Sequence, residues 1–203
     1  MGENGAGKST LIKVLTGVYR PPDEGELRLA GEQVSFNRPF EAQQAGISTI
    51  YQEVNLVPLM SVARNIFLGR EPKNRFGLID FPPRMYRETS ELLDGFGVRV
   101  DPQAPPLHTL GIGTQQMVAM ARAVSVNAQV VIMDEPTSSL EPREVETLFR
   151  VIEDLRGRGI AVLYVSHRMD ELYRICDRVT VLRDGKHIHT ATSPTSTGCG
   201  SSR

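Results

Sequence analysis

Residues 2–9 read GENGAGKS, a fit to the phosphate-loop pattern G-x-x-x-x-G-K-[ST]. No other stretch constrains the fold as much, because this pattern works as the turn between a buried strand and a helix. Glycines at 2, 5 and 7 let successive backbone N–H groups point into one anion-binding nest. The helix that follows turns its positive end toward the same point. In such a loop Gly2, Asn4, Gly5, Ala6 and Gly7 form the cradle and Lys8 reaches the β- and γ-phosphates. The Ser9 hydroxyl ligates Mg²⁺, and Thr10 supports the α-phosphate side. Taken alone, the same residues also fit a Gly-rich turn without a ligand. Only Met1 precedes Gly2, so the strand that normally feeds the loop is missing from its expected place.

The remainder alternates between helical and strand patterns. STLIKVLTGV reads as a helix, GELRLAGEQVSF as a hairpin, RPFEAQQAG as a short helix and ISTIYQ as a buried strand ending at Gln52. From about Glu53 to Gly111 the chain is broken at Pro58, Pro72, Pro82, Pro83, Pro102 and Pro105–Pro106 and has no convincing strand. Its helix candidates are SVARNIFLG and RMYRETSELLDGFG, so it reads as an inserted helical subdomain.

The alternation then resumes. QQMVAMARAVSV places Met117, Met120, Ala121 and Val124 on one helical face. QVVIMDEP and IAVLYVSH are continuous apolar runs, the signature of strands buried on both faces. Between them, REVETLFRVIEDLRGRG is an amphipathic helix with Val145, Leu148, Phe149, Ile152 and Leu155 facing the core. RMDELYRIC is a further helix, and DRVTVLRDGKHIHT is a hairpin about Asp184–Gly185. The expected fold class is therefore α/β: a mostly parallel sheet with helices on both faces and antiparallel hairpins at its edges. The polar stretch 193–203 is expected to be a disordered tail.

Bulk properties exclude several classes. A formal net charge of -1 gives no general attraction to nucleic acid. The apolar runs are too short to span a bilayer, and no secretory leader is visible. Two cysteines, Cys176 and Cys199, make no disulfide framework. Cys176 reads as a core thiol, and His187 and His189 as exposed strand histidines rather than metal ligands.

Four further features could complete a phosphate site. Asp134 ends a buried strand and suits a Mg²⁺ ligand; two solvated acids closing a strand are the alternative. Glu135 beside it suits a general base or a group that orients water. His167 and Gln52 also end buried strands, which brings them to the C-terminal edge of the sheet where open α/β folds bind ligands. His167 there suits a γ-phosphate contact, and Gln52 can reach Mg²⁺ or the attacking water. Gly111 and Gly113 in LGIGT precede a helix whose N-terminus can donate to a phosphate. Two helix ends in one domain do not easily embrace one phosphate, so the economical arrangement is a head-to-tail pair of domains.

In this order, the phosphate loop, Gln52, LGIGT, IMDEP with SSLE, and His167 resemble the nucleotide-binding domain of ABC transporters, over roughly residues 1–190. GENGAGKSTLIKVLTGVY, STIYQEVNLVPLMSVARNIFLGRE, GTQQMVAMARA and MDEPTSSLEPREVETLF are similar to the carbohydrate-importer ATPases of the ribose, galactose and xylose type. In that family two such domains usually share one polypeptide, and this chain resembles the first. The resemblance implies a P-loop NTPase fold with an ATP-binding domain over 1–192, of which 53–125 form the helical and signature subdomain. It implies ATP and Mg²⁺ as ligands, and ATP hydrolysis driving import of a monosaccharide. It further implies a second nucleotide-binding domain as partner, a membrane permease engaged near Gln52–Arg70, an extracytoplasmic sugar-binding protein, and a place on the inner face of the plasma membrane.

Three departures accompany the likeness. Gly111 and Thr114 stand where the family usually has Ser and Gln, and Glu141 where Thr or Asp is common. Losing the Ser hydroxyl removes one charge-assisted bond to the partner's nucleotide, about 1.5–3 kcal/mol. After HIHT the family pattern stops. Met1 is expected to be an internal methionine and the sequence a fragment cut at both ends; the alternative function is a truncated module without activity of its own. ATPases of DNA repair or the ribosome fit less well, since the chain has neither a heptad insertion, paired Cys nor a charged linker.

Overall fold

The computed structural model describes residues 5–20, 24–51, 56–72, 83–103, 106–125 and 128–193. In chain order these form α1 (Lys8–Leu15), β1 (Leu27–Leu29), β2 (Glu32–Val34), α2 (Pro39–Gln44) and β3 (Ile47–Ile50). Then come α3 (Val62–Phe67), α4 (Pro83–Gly95), α5 (Ile112–Val124), β4 (Val130–Asp134) and α6 (Pro142–Gly157). Last are β5 (Ala161–Val165), α7 (Met169–Ile175), β6 (Arg178–Arg183) and β7 (Lys186–Thr192).

The central sheet is parallel, in the order β3-β4-β5. Ile47 to Ile50 pair in register with Val130 to Met133, and Val130 to Asp134 with Ala161 to Val165. Because strand side chains alternate, β4 feeds two cores. Val131 and Met133 join the larger one with Ile50, Tyr164, α5, α6 and α7. Ile132 points to the other side, where it packs with Ile12, Phe36, Ala42, Ile47 and Val165. Both faces are thus covered, which is why the strand reads as one unbroken apolar run. β1–β2 and β6–β7 are antiparallel hairpins. Their turns, Ala30–Gly31 and Asp184–Gly185, have both central φ positive (51° and 88°, 50° and 73°), the geometry that matches the strand twist.

Among the described residues, the helical insertion shares its core with the sheet. Val62 and Ile66 of α3, Leu93 of α4 and Met117 and Met120 of α5 lie in the same cluster as Val131 and Met133 of the sheet. α5 buries Gln116 and Val118 as well as the expected methionine face, because it is wedged between α3, α4 and β3. Ser193, the first residue of the expected tail, is buried and donates its N–H to the Asp177 carbonyl (2.8 Å). Residues 194–203, including Cys199, lie outside the described residues.

Among the described residues, no strand pairs with the outer edge of β5. Beside that edge lies a cavity of about 570 Å³, lined by Leu11 and Ile12 of α1, Val162 and Tyr164 of β5, and Val179 and Leu182 of β6. No helix among the described residues is long and apolar enough to cross a membrane.

Candidate functional site

The loop enters α1 through two left-handed glycines, Gly5 (φ 84°) and Gly7 (φ 91°), a conformation that side chains with a Cβ resist. Gly7 also has no room for one: a Cβ there would lie 3.2 Å from Gly185 Cα. The Gly185 N–H donates to the Ala6 carbonyl (3.2 Å). The β6–β7 turn therefore braces the phosphate loop, a role for Gly185 that no local sequence signal announces. Ala6 and Lys8 are buried, while Ser9 and Thr10 are exposed on the first turn of α1. Gly2, Asn4 and Gln52 lie outside the described residues.

The parallel register sets Asp134 opposite Val165, so β4 and β5 end side by side and present Asp134, Glu135 and His167 at one edge. Burial raises the Asp134 carboxyl above its ordinary range, the charge of Glu135 raises it further, and the Lys8 ammonium opposes both. Lys8 and the two acids are thus one electrostatic unit. Glu135 has φ 46°, an uncommon backbone for a residue with a Cβ, costing roughly 1–2 kcal/mol. It is held there by its N–H, which donates to the Val165 carbonyl at 2.8 Å. The twist delivers the Glu135 carboxylate to His167, with Nδ1 3.1 Å from Oε1. A carboxylate only accepts, so Nδ1 carries the proton. The His167 side chain is 66% exposed and that of Glu135 18%, leaving the imidazole as the outward end of the pair.

These residues fit a Mg²⁺–nucleotide. Two adjacent acids, one destabilised by burial and by its neighbour, form a site that a divalent cation relieves, and the Ser9 hydroxyl belongs to the same loop as Lys8. Among the described residues no group of three His, Cys, Asp or Glu could hold a metal alone. Mg²⁺ takes one or two protein oxygens and completes its shell with phosphates and water.

Gly111 caps α5 and is exposed. Gly113, in the first turn, faces the Glu144 carboxylate of α6 so closely that a Cβ would collide with it. Glu144 is held by the Glu141 N–H, which donates to it at 2.9 Å. The unusual Glu141 therefore serves as the N-cap of α6. Another residue that periodicity did not single out is Asn65, fully buried on α3. Its Oδ1 accepts from Val57 N–H (2.7 Å), and its Nδ2 lies 3.1, 3.3 and 3.1 Å from the carbonyls of Val57, Met60 and Ser61. It thereby shapes the loop that leads into α3.

The sequence profile described as "ABC transporter" matches residues 1–138. The chain belongs to the ABC transporter family. Relatives within this family include the putative ribose/galactose/methyl galactoside import ATP-binding protein 2 of Agrobacterium fabrum, 52% identical over 95% of this chain and 37% of the relative. A protein of similar name from Hahella chejuensis is 50% identical over 94% and 36%. The chain thus spans little more than a third of the length of these relatives. Among solved structures, the ATP-binding cassette MJ0796, dimeric and bound to ADP and phosphate, superposes with a TM-score of 0.79 at 23% identity, covering 95% of this chain and 83% of that one. The ADP form of the cassette MJ1267 gives 0.79 at 25%, covering 95% and 78%. The fold is that of an ABC-family P-loop cassette.

Proposed function

We propose that residues 1–192 are an ATP-binding and hydrolysing domain that energises import of a monosaccharide through a membrane permease. The observation that carries this reading is the meeting of Lys8, Asp134, Glu135 and His167 where β4 and β5 end. In this reading the Gly5–Gly7 backbone and Lys8 bind the phosphates. Ser9, Asp134 and Gln52 hold Mg²⁺, which neutralises phosphate charge when bound. Glu135 takes the proton of the attacking water at its carboxylate, and His167 orients that carboxylate through Nδ1 while turning its other edge to the γ-phosphate.

The names of the relatives support a sugar-import role, and the dimeric cassette supports a second nucleotide-binding domain as partner. Gly111 and Gly113 then serve the partner's nucleotide in a head-to-tail pair. The helical subdomain near Gln52–Arg70 engages the permease on the cytoplasmic side of the membrane, and an extracytoplasmic binding protein delivers the sugar. Nucleic acid has no part in this reading.

Mg²⁺–ATP turnover by the purified chain, with Glu135→Gln as control, tests the proposal. Hydrolysis that is lost in the variant while nucleotide binding persists is the expected result. Hydrolysis unaffected by the substitution would overturn the assignment of Glu135. The outer edge of β5, with which no strand pairs among the described residues, favours a second reading, a nucleotide-binding module without independent activity. In that case the chain alone shows neither turnover nor thermal stabilisation by Mg²⁺–ATP.

A further inference from the structure

Behind the Glu135–His167 pair lies a carboxylate that the nucleotide chemistry does not use. Glu171, on the first turn of α7, has a side chain only 2% exposed. Its Oε2 accepts from three hydroxyls: Tyr164 at 2.8 Å, Thr137 at 3.1 Å and Ser166 at 3.1 Å. Its Oε1 lies 2.9 Å from the Arg168 guanidinium. Ser166 Oγ in turn accepts from the Arg168 N–H at 3.0 Å.

The partners of this one group come from both loops of the site. Thr137 lies two residues beyond Glu135, and Ser166 and Arg168 flank His167. The segment Glu135–Thr137 and the segment Ser166–Arg168 are therefore tied to one buried point. The strained backbone of Glu135 (φ 46°) needs such a point, because a left-handed Glu persists only where its surroundings over-determine it.

We propose that Glu171 is a positioning residue: a buried clamp that locks the loop after β4 to the loop after β5 and so holds Glu135 and His167 at hydrogen-bonding distance. This rests on the assignment of Glu135 and His167 to ATP hydrolysis. A bulky apolar residue at 171 could fill the same volume, but only an acceptor can hold three hydroxyls and an arginine together. Glu171, Thr137, Ser166 and Tyr164 are buried while Arg168 is half exposed; in the buried part of the network the pieces are coupled, so removing the acceptor releases both loops together.

The test has two arms, each on the whole chain. In the first, amide hydrogen exchange is compared between the parent, Glu171→Met, which fills the volume without a strong acceptor, and Thr137→Val. Thr137→Val deletes one hydroxyl and serves even where Glu171→Met fails to fold. Clamping predicts exchange at least about tenfold faster at the Glu135 amide, bonded to Val165, and at the Arg168 amide, bonded to Ser166, with the central amides of β4 and β5 unchanged. In the second arm, kcat for ATP falls about tenfold or more while KM stays within twofold. Local exchange at Glu135 and Arg168 that does not change in a folded variant overturns the proposal, as does a rise in KM that matches the fall in kcat. If the parent chain does not hydrolyse ATP, the functional reading fails on its own, and the exchange arm still decides the clamp.

Discussion

Glu135 Oε1 and His167 Nδ1 meet at 3.1 Å across the ends of two parallel strands, although the residues are 32 positions apart in the chain. The contact follows from register: Asp134 pairs with Val165, so the residues just beyond each strand emerge side by side. The Glu135 N–H bonded to the Val165 carbonyl fixes the carboxylate's approach.

Replacing His167 by Ala should cost activity but not stability. The imidazole is 66% exposed, and surface substitutions of this kind usually change stability by no more than about 0.5 kcal/mol. Loss of the group that orients Glu135 should lower kcat about 10²–10⁴-fold. Steady-state hydrolysis, with a thermal melt on the same sample, checks both parts.

Asp134→Asn should stabilise the ligand-free chain at neutral pH. Burial and the Glu135 charge raise the Asp134 carboxyl, with Lys8 only partly opposing them. The folded state therefore holds this proton more tightly than the unfolded state. The ionised group costs stability once pH rises above the ordinary carboxylate range, and costs nothing below it, where both states are protonated. The variant should melt higher at pH 7. The gain should vanish near pH 3. Melts across that range test the sign, and Mg²⁺ should stabilise the parent more than the variant.

Asn65→Ala should destabilise the chain by about 1–3 kcal/mol, the cost of stranding buried backbone groups. The Val57 N–H and the carbonyls of Val57, Met60 and Ser61 lose their shared partner. Chemical denaturation measures the loss. Proteolysis should locate it at 56–61, the loop expected to approach the permease, with β4 and β5 still protected.

An engineered extension that places an apolar strand directly before Gly2 should raise the melting temperature by several degrees. The cavity beside β5 is about 570 Å³ and mostly apolar, and each side chain it takes in contributes about 1.5–3 kcal/mol before ordering entropy is deducted. Nucleotide affinity, measured on the same samples, should rise as well. An extension of equal length made of Ser and Gly should do neither.

Much of the fold was legible from periodicity. VVIM and AVLYV are apolar without interruption because Val131 and Met133 face one core and Ile132 the other, and Asp184–Gly185 announced the hairpin turn. Residues 53–111 read as an inserted helical subdomain because prolines punctuate them; that Val62, Ile66 and Leu93 pack in the core of the sheet is a contact no local pattern announces. Local breaks in a chain say nothing about which surfaces its helices will cover.

The amino-acid sequence by itself determined the chemistry available: a left-handed glycine loop before Lys8, two acids after one buried strand, a histidine after another. Those are properties of neighbouring residues, set by backbone freedom and by the apolar runs that carry each group to a strand end. Only the tertiary structure decided which groups act together. Strand register joined Glu135 to His167, the hairpin turn brought Gly185 against Gly7, and α7 carried Glu171 beneath both site loops. These contacts depend on long-range packing, where a shift of one residue in register would turn every side chain to the other face.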